Sequence, residues 1–294
     1  MKSTTKALAT GLAGLAIGVT AGAAFAAGTG QPEPWQIAMQ EPVTPIAREL
    51  HSFHTLLMWV ITIITVFVAG LLVYCMVKFS EKANPVPSKT AHNTAIEIAW
   101  TVVPVLILVL IAIPSFRLLR NQLIIPPADI TVKATGHSWY WEYSYPGDKE
   151  GKGAFTFDSR ILADPSDQTK ALAGKDGTPR LLAVDNEMVV PVNKVVRVQV
   201  TADIVSHAFA VPSFGIKIDA MPGRMNETWF KAERIGVYHG QCSELCGQFH
   251  AFMPITVRVV SEQDYATWLG EAQKKYASDE QPAGATRLAD AAAK

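Results

Sequence analysis

The sequence predicts a two-helix membrane hairpin followed by an all-β domain, an antiparallel β-sandwich or barrel. Two observations carry the first half: the uncharged runs TLLMWVITIITVFVAGLLVYCMV, from Thr55 to Val77, and IAWTVVPVLILVLIAIPSF, from Ile98 to Phe116. Each is long enough to cross a bilayer as a helix. The third is a change of pattern. Beyond Pro126 and Pro127 the long apolar runs give way to short alternating ones separated by Gly, Pro, Asn and Asp, which is the pattern of half-buried strands.

The chain has 294 residues, 49% of them hydrophobic, with 26 basic and 26 acidic side chains. A net charge of zero gives nucleic acid nothing to bind, so none is expected as a partner. Three cysteines cannot build a disulfide framework.

Residues 1–26 place Lys2 and Lys6 before an uncharged Ala-, Gly- and Leu-rich run that ends in Ala24-Phe25-Ala26. This is the layout of a secretory signal peptide cut near Ala26. Export leaves 27–54 outside and assigns 55–77 and 98–116 to the two spans. The connecting stretch 78–97, with Lys78, Lys82 and Lys89, then lies on the cytoplasmic side, where basic residues concentrate. Pro104 and Pro114 lie inside the second span; neighbouring helices or waters can satisfy the carbonyls they free.

Within the β domain, 128–261, the segments ITVKATGHSWYWEYSY, RLLAVDNEMVVPV, VVRVQVTA and HAFAVPSF read as strands. The polar stretch 147–179 reads as a long surface insertion. Ser261 and Asp264 form a helix-capping pattern ahead of a helix over 262–277. The tail 278–294 is expected to be disordered.

The chemistry concentrates in CSELCGQFHAFM, residues 242–253. Thiolate, thioether and imidazole favour copper or zinc over magnesium or calcium, and the methionine turns the balance towards copper. A single blue-copper ion needs two histidines, one cysteine and a weak axial methionine. Cys246, His250 and Met253 with His207 would fill that set, leaving Cys242 over. Two bridging thiolates shared by two coppers accommodate it, with His207 and His250 on the two metals, and Met253 and the Glu244 carbonyl as weak ligands. The alternative for two thiols in an oxidising compartment is a disulfide, which would make the domain a stapled anchor. A copper carrier is a third possibility, set against the rigidity of such a cage.

The passages HAFAVPSFGIKIDAMPGRMNETWF and GVYHGQCSELCGQFHAFMPI, with GHSWYWEYSY upstream, resemble the CuA-binding domain of subunit II of the haem-copper cytochrome c oxidases. The order of signal, two membrane helices and β domain matches the bacterial members, and the resemblance runs from about Pro34 to Trp268. It implies a cupredoxin-like Greek-key β-sandwich in an electron-transfer subunit of the respiratory chain. Electrons would come from cytochrome c to the dinuclear copper and pass to haem in the catalytic subunit, where dioxygen is reduced to water with proton translocation. The implied partners are subunit I, with haem and CuB, subunit III, cytochrome c and membrane lipid. The implied location is the bacterial inner membrane with the C-terminal domain in the periplasm. The chain lacks a C-x-x-C-H haem-attachment motif, so the oxygen chemistry belongs to the partner.

Carried over position by position, the resemblance assigns copper to His207, Cys242, the Glu244 carbonyl, Cys246, His250 and Met253. It gives the Glu244 side chain a share in a magnesium ion held with subunit I. Trp139 falls where electrons enter from cytochrome c. Glu97, three residues before Trp100, falls at the mouth of a proton pathway. The docking acids depart from the family pattern. WYWEYSY replaces the usual WYWSYEY, which moves an acid two residues to Glu142 and keeps it on one strand face. Asp203 lies one residue from the family's acid position, now Ile204; a one-residue shift turns a strand side chain to the opposite face unless a bulge intervenes.

Overall fold

The computed structural model describes residues 30–147, 150–164, 167–174 and 177–276. The expected signal peptide and C-terminal tail lie outside them. Two helices, α1 (Pro45–Lys78) and α2 (Thr94–Leu123), form the hairpin. At about 1.5 Å per residue they measure about 50 and 45 Å, more than the ~30 Å apolar core of a bilayer. α1 starts well before the apolar run at Thr55, because the Thr44 hydroxyl accepts the Ala47 N–H and Pro45 sits in the first turn. Asn93 caps α2 by accepting from Ala95 and Ile96, and the helix continues through both prolines.

The apolar spans of both helices are unburied within the chain, so lipid or partner helices must cover them. At the domain-side end, the Asn121 amide donates to both Glu49 carboxylate oxygens at 3.1 and 2.8 Å. The same end is fastened to the β domain. Thr44 Oγ1 donates to the Phe214 carbonyl (2.8 Å), Trp229 Nε1 to the Asn121 carbonyl (3.2 Å), and Arg48 pairs with Glu233.

The β domain is a sandwich of two five-stranded sheets. The first runs in the order β10 (Asn226–Phe230), β7 (Val196–Ala202), β1 (Ile130–His137), β2 (Tyr140–Tyr145) and β3 (Phe155–Ser159). The second runs β6 (Met188–Pro191), β12 (Pro254–Val260), β11 (Gly236–Cys242), β8 (His207–Val211) and β9 (Ile216–Ala220). Strand alternation fills the space between them: Val196, Val198 and Val200 point inward from β7, meeting Phe209, Ile255 and Val257 of the facing sheet. The pairing is mixed rather than purely antiparallel, since β1 lies parallel to β7 and β12 parallel to β6. Both are crossover pairings between strands distant in sequence, which local alternation cannot orient.

The polar stretch 147–179 contributes more than a surface insertion. Its FTFDS segment is the edge strand β3, and Phe155 and Phe157 are buried in the core. Two aromatic residues at period two were masked by the charged residues around them. The same stretch holds a small hairpin of β4 (Ala163–Asp164) and β5 (Asp167–Ala171). The run 130–145 divides into two strands at Ser138-Trp139, and of the segment 180–192 only Met188–Pro191 pairs as strand. A last helix, α3 (Glu262–Tyr276), starts as its capping pattern predicts. Ser261 Oγ accepts the Asp264 N–H at 3.1 Å and donates to the Asp264 carboxylate at 2.6 Å. Trp268 and Tyr276 then pack against Tyr145 and Phe157 at ring separations of 5.2 and 4.9 Å.

Candidate metal centre

His207 opens β8, Cys242 closes β11, and Cys246, His250 and Met253 lie in the connection to β12, which contains a single 3-10 turn. Pairing of Cys242 with Phe209 brings the ends of β8 and β11 together. The outcome is a tight cluster. The two sulfurs are 3.9 Å apart; His207 Nδ1 is 3.8 Å from Cys242 Sγ, and His250 Nδ1 is 3.5 Å from Cys246 Sγ. Met253 Sδ lies 3.6 Å from Cys246 Sγ, and the Glu244 carbonyl accepts from Cys242 Sγ at 3.2 Å. His207, Cys242, Cys246 and Met253 are buried, His250 half-buried. All six sequence-derived donors therefore gather around the two sulfurs.

Glycine makes room for the first histidine. A Cβ on Gly136 of β1 would stand 2.7 Å from His207 Cδ2, inside van der Waals contact. Gly136→Ala is expected to displace the imidazole, destabilise the domain by about 1–3 kcal/mol and weaken copper binding by roughly 10–100-fold. Copper titration against the wild-type chain checks this; unchanged affinity would remove the steric argument.

Two indoles hold the ligand loop from the other side. Trp141, fully buried, donates Nε1–H to the Met253 carbonyl at 3.3 Å and meets the His207 ring edge-on. Trp139 donates to the Cys246 carbonyl at 3.0 Å and packs on Phe249 at 5.2 Å between ring centroids. It stands in the turn between β1 and β2 and is half-buried rather than fully exposed. Gly247, at φ +121°, lets the loop pass against its ring, since a Cβ there would be 2.9 Å from Trp139 Cζ2.

Burial lowers the pKa of His207, which keeps the imidazole neutral with a lone pair free to bind a metal. Burial and the adjacent Cys242 thiol push Cys246 up to about 12, so a thiolate forms there only with a cation to stabilise it. His207 Nε2 is buried without a hydrogen-bond partner among the described residues. The nitrogen that faces the sulfurs is Nδ1, so with the proton on Nε2 it is the Nδ1 lone pair that is available to a metal.

The donor set fits copper. A disulfide needs sulfurs about 2.05 Å apart, whereas here all three cysteines are free. Metal–thiolate bonds are about 2.3 Å and metal–imidazole bonds about 2.0 Å, so sulfurs 3.9 Å apart and nitrogens at 3.5 and 3.8 Å are within span of shared ions. His207, Cys242 and Cys246 are also the one three-ligand group found among the described residues.

The remaining candidates lie apart from the cluster. Glu244 is exposed, and no three-ligand group among the described residues includes it. Glu97 is in the first turn of α2, far along the hairpin from the metal cluster, where a carboxylate complements the helix dipole. Glu142 is half-buried on β2. Asp203 lies outside the strands: β7 ends at Ala202 and β8 begins at His207, so strand alternation does not orient it. Its carboxylate instead meets His137 Nδ1 at 2.7 Å. Gly136, His137 and the loop-holding role of Trp141 escape sequence reasoning, because all three depend on pairings between distant segments.

The family models for cytochrome c oxidase subunit II match in two blocks, the transmembrane domain over residues 32–118 and the periplasmic domain over residues 130–260. A probable cytochrome c oxidase subunit 2 of Rickettsia bellii is 50% identical over 250 residues, covering 85% of this chain and 89% of its own. The cytochrome c oxidase subunit 2 of Cereibacter sphaeroides is 45% identical, covering 90% of each chain. The crystal structure of the periplasmic domain of subunit II of cytochrome oxidase of Bradyrhizobium japonicum is 56% identical, covering 52% of this chain and 100% of that one, with a TM-score of 0.46. With a membrane hairpin and a β domain that both match, and relatives alike over nearly their whole length, the chain belongs to the cytochrome c oxidase subunit II family.

Proposed function

We propose that this chain is the electron-receiving subunit of a respiratory terminal oxidase. It takes electrons from cytochrome c at a dinuclear copper centre and passes them to haem in the catalytic subunit, where dioxygen becomes water with proton translocation. The observation that carries the reading is the convergence of six donors around two sulfurs 3.9 Å apart, with His207 beside Cys242 and His250 beside Cys246. One imidazole per sulfur suits two metals better than one. Two coppers held there would supply a one-electron store shared over both metals and both sulfurs.

The protein contributes rigidity and access. Ligands on two strand ends, with a ligand loop fixed by the Trp139 and Trp141 hydrogen bonds, would hold one geometry for both oxidation states. Trp139 touches the ligand loop with one edge and is partly exposed, so it offers a short path from a docked donor. Leu245, 79% exposed between Glu244 and Cys246, and Ile204, 77% exposed before His207, add apolar contact area on the two ligand-bearing loops. The exposed Glu244 carboxylate would supply one ligand to a magnesium ion shared with subunit I, a hard cation that keeps several waters. The β domain occupies the periplasmic side, and subunits I and III cover the apolar hairpin together with lipid.

Rapid mixing of the copper-loaded chain with reduced cytochrome c tests this. Oxidation of the cytochrome by up to one electron per chain is expected; a copper-loaded chain that takes none would contradict the reading. Glu97, at the opposite end of α2 from the domain, is assigned to proton uptake. Glu97→Gln is expected to slow oxygen turnover of the assembled oxidase several-fold and leave electron uptake from cytochrome c unchanged. Normal turnover would return Glu97 to an acid that complements the helix dipole.

A further inference from the structure

The last residue of β1, His137, sits between two acids, Asp203 and Glu142. Its Nδ1 is 2.7 Å from an Asp203 carboxylate oxygen, and its Nε2 is 3.8 Å from a Glu142 carboxylate oxygen. At 2.7 Å the Nδ1 must carry the proton and donate it to Asp203. The ring cannot turn away. It stacks on Tyr140 at 4.7 Å with planes 12° apart, and the Arg160 guanidinium covers the Tyr140 ring at 3.5 Å. Arg160 is itself engaged by Asp158 at 2.8 Å.

Asp203 is gripped at more than one point. Its backbone N–H donates to the Gly136 carbonyl at 3.2 Å, and its second carboxylate oxygen accepts the Ile204 N–H at 2.6 Å. Burial alone would raise its pKa; the hydrogen bonds from His137 and Ile204 outweigh it and hold the carboxyl below its ordinary value, hence ionised. Both carboxylates keep about a third of their side chains in solvent, 34% for Asp203 and 28% for Glu142, whereas His137 keeps 19%. The histidine is thus the inner member, with two acids on its rim, two residues along the chain from Trp139.

We propose that His137 is a positioning residue for the docking of a basic electron-donor protein, fixing the loop carboxylate of Asp203 near Glu142 on the Trp139 side of the domain. The inference rests on the reading of Trp139 as the point where electrons enter. Glu142 is placed by its strand, β2, whereas Asp203 sits in a loop; the Nδ1–H bond from the stacked imidazole fixes the loop carboxylate, so that both acids present their charge on one side of the contact point. A fixed pair of that sign raises the encounter rate with a lysine-rimmed partner and sets its orientation. It also accounts for the one-residue displacement of Asp203, since the loop position lets His137 recruit a carboxylate that strand alternation would have turned away.

The test uses the assembled oxidase carrying His137→Ala, His137→Asn, Asp203→Asn or His137→Ala with Asp203→Asn. KM and kcat for reduced cytochrome c are measured across ionic strength, with copper content and the copper spectrum. His137→Ala is expected to raise KM about 3- to 10-fold at low salt, an effect that fades as salt screens the pair, with kcat and spectrum unchanged. His137→Asn, whose amide can donate to Asp203, is expected to recover most of the loss. Asp203→Asn should match His137→Ala, and the double variant should be no worse than either. An unchanged KM in His137→Ala beside a raised KM in Asp203→Asn overturns the positioning role alone. Loss of copper in His137→Ala that His137→Asn does not repair overturns it in favour of a purely structural histidine. If Trp139→Ala and Asp203→Asn both leave cytochrome c kinetics unchanged, the docking face itself is misplaced.

Discussion

Cys246→Ser is expected to abolish the dinuclear centre. The Cys246 sulfur is one of the two hubs of the cluster, 3.9 Å from Cys242 Sγ, 3.5 Å from His250 Nδ1 and 3.6 Å from Met253 Sδ, so its replacement disconnects three donors at once. Loss of an outer hydrogen-bond partner already weakens a metal site roughly 10–100-fold, and loss of a bridging thiolate should exceed about 100-fold. At most one copper should remain, with electron uptake from cytochrome c falling to background. The fold should persist, because the sandwich core lies between the sheets and a buried hydroxyl in place of a thiol costs only about 1–2 kcal/mol. Copper analysis together with circular dichroism separates the two effects. Retention of two coppers would show that Cys246 is not a bridging ligand.

Trp139→Ala is expected to have the second largest effect, on kinetics rather than on metal. The indole makes one hydrogen bond to the Cys246 carbonyl and one aromatic contact with Phe249. The hydrogen bond contributes about 1 kcal/mol to holding the loop, too little to release copper from six donors. At the centre of the proposed docking face it would fall in the class of aromatic contacts worth at least about 2 kcal/mol. The second-order rate of electron uptake should therefore drop by roughly 30-fold or more, with copper content and spectrum unchanged. Trp139→Phe keeps a ring without the N–H donor and should retain part of the rate. Copper loss with an unaltered rate per copper would make Trp139 a loop brace and nothing else.

How far the site is legible in the sequence follows from where its parts lie. Cys242, Glu244, Cys246, His250 and Met253 occupy one twelve-residue stretch, so their spacing carries the chemistry before any fold is known. His207 is legible because a histidine opening a strand completes a set that is otherwise one ligand short. Trp139 and Trp141 are conspicuous as residues, but their task is not: which carbonyl each indole holds depends on β2 facing the loop from the opposite sheet. The Asp203–His137–Glu142 arrangement is invisible for the same reason. It joins the end of β1, the middle of β2 and the loop before β8, where strand alternation does not orient Asp203. The fold divides likewise. Uncharged runs and alternation reveal the hairpin and the sandwich, whereas β3 hides its two buried phenylalanines in a polar stretch, and the parallel pairings of β1 with β7 and β12 with β6 are long-range choices.

The central claim is that two coppers share one site. The direct measurement is copper content with low-temperature electron paramagnetic resonance on the full chain, solubilised and loaded with copper. Two coppers per chain and a single unpaired electron with hyperfine coupling to both nuclei are the predicted result. One copper with coupling to a single nucleus, or none with Cys242 and Cys246 joined as a disulfide, would contradict it.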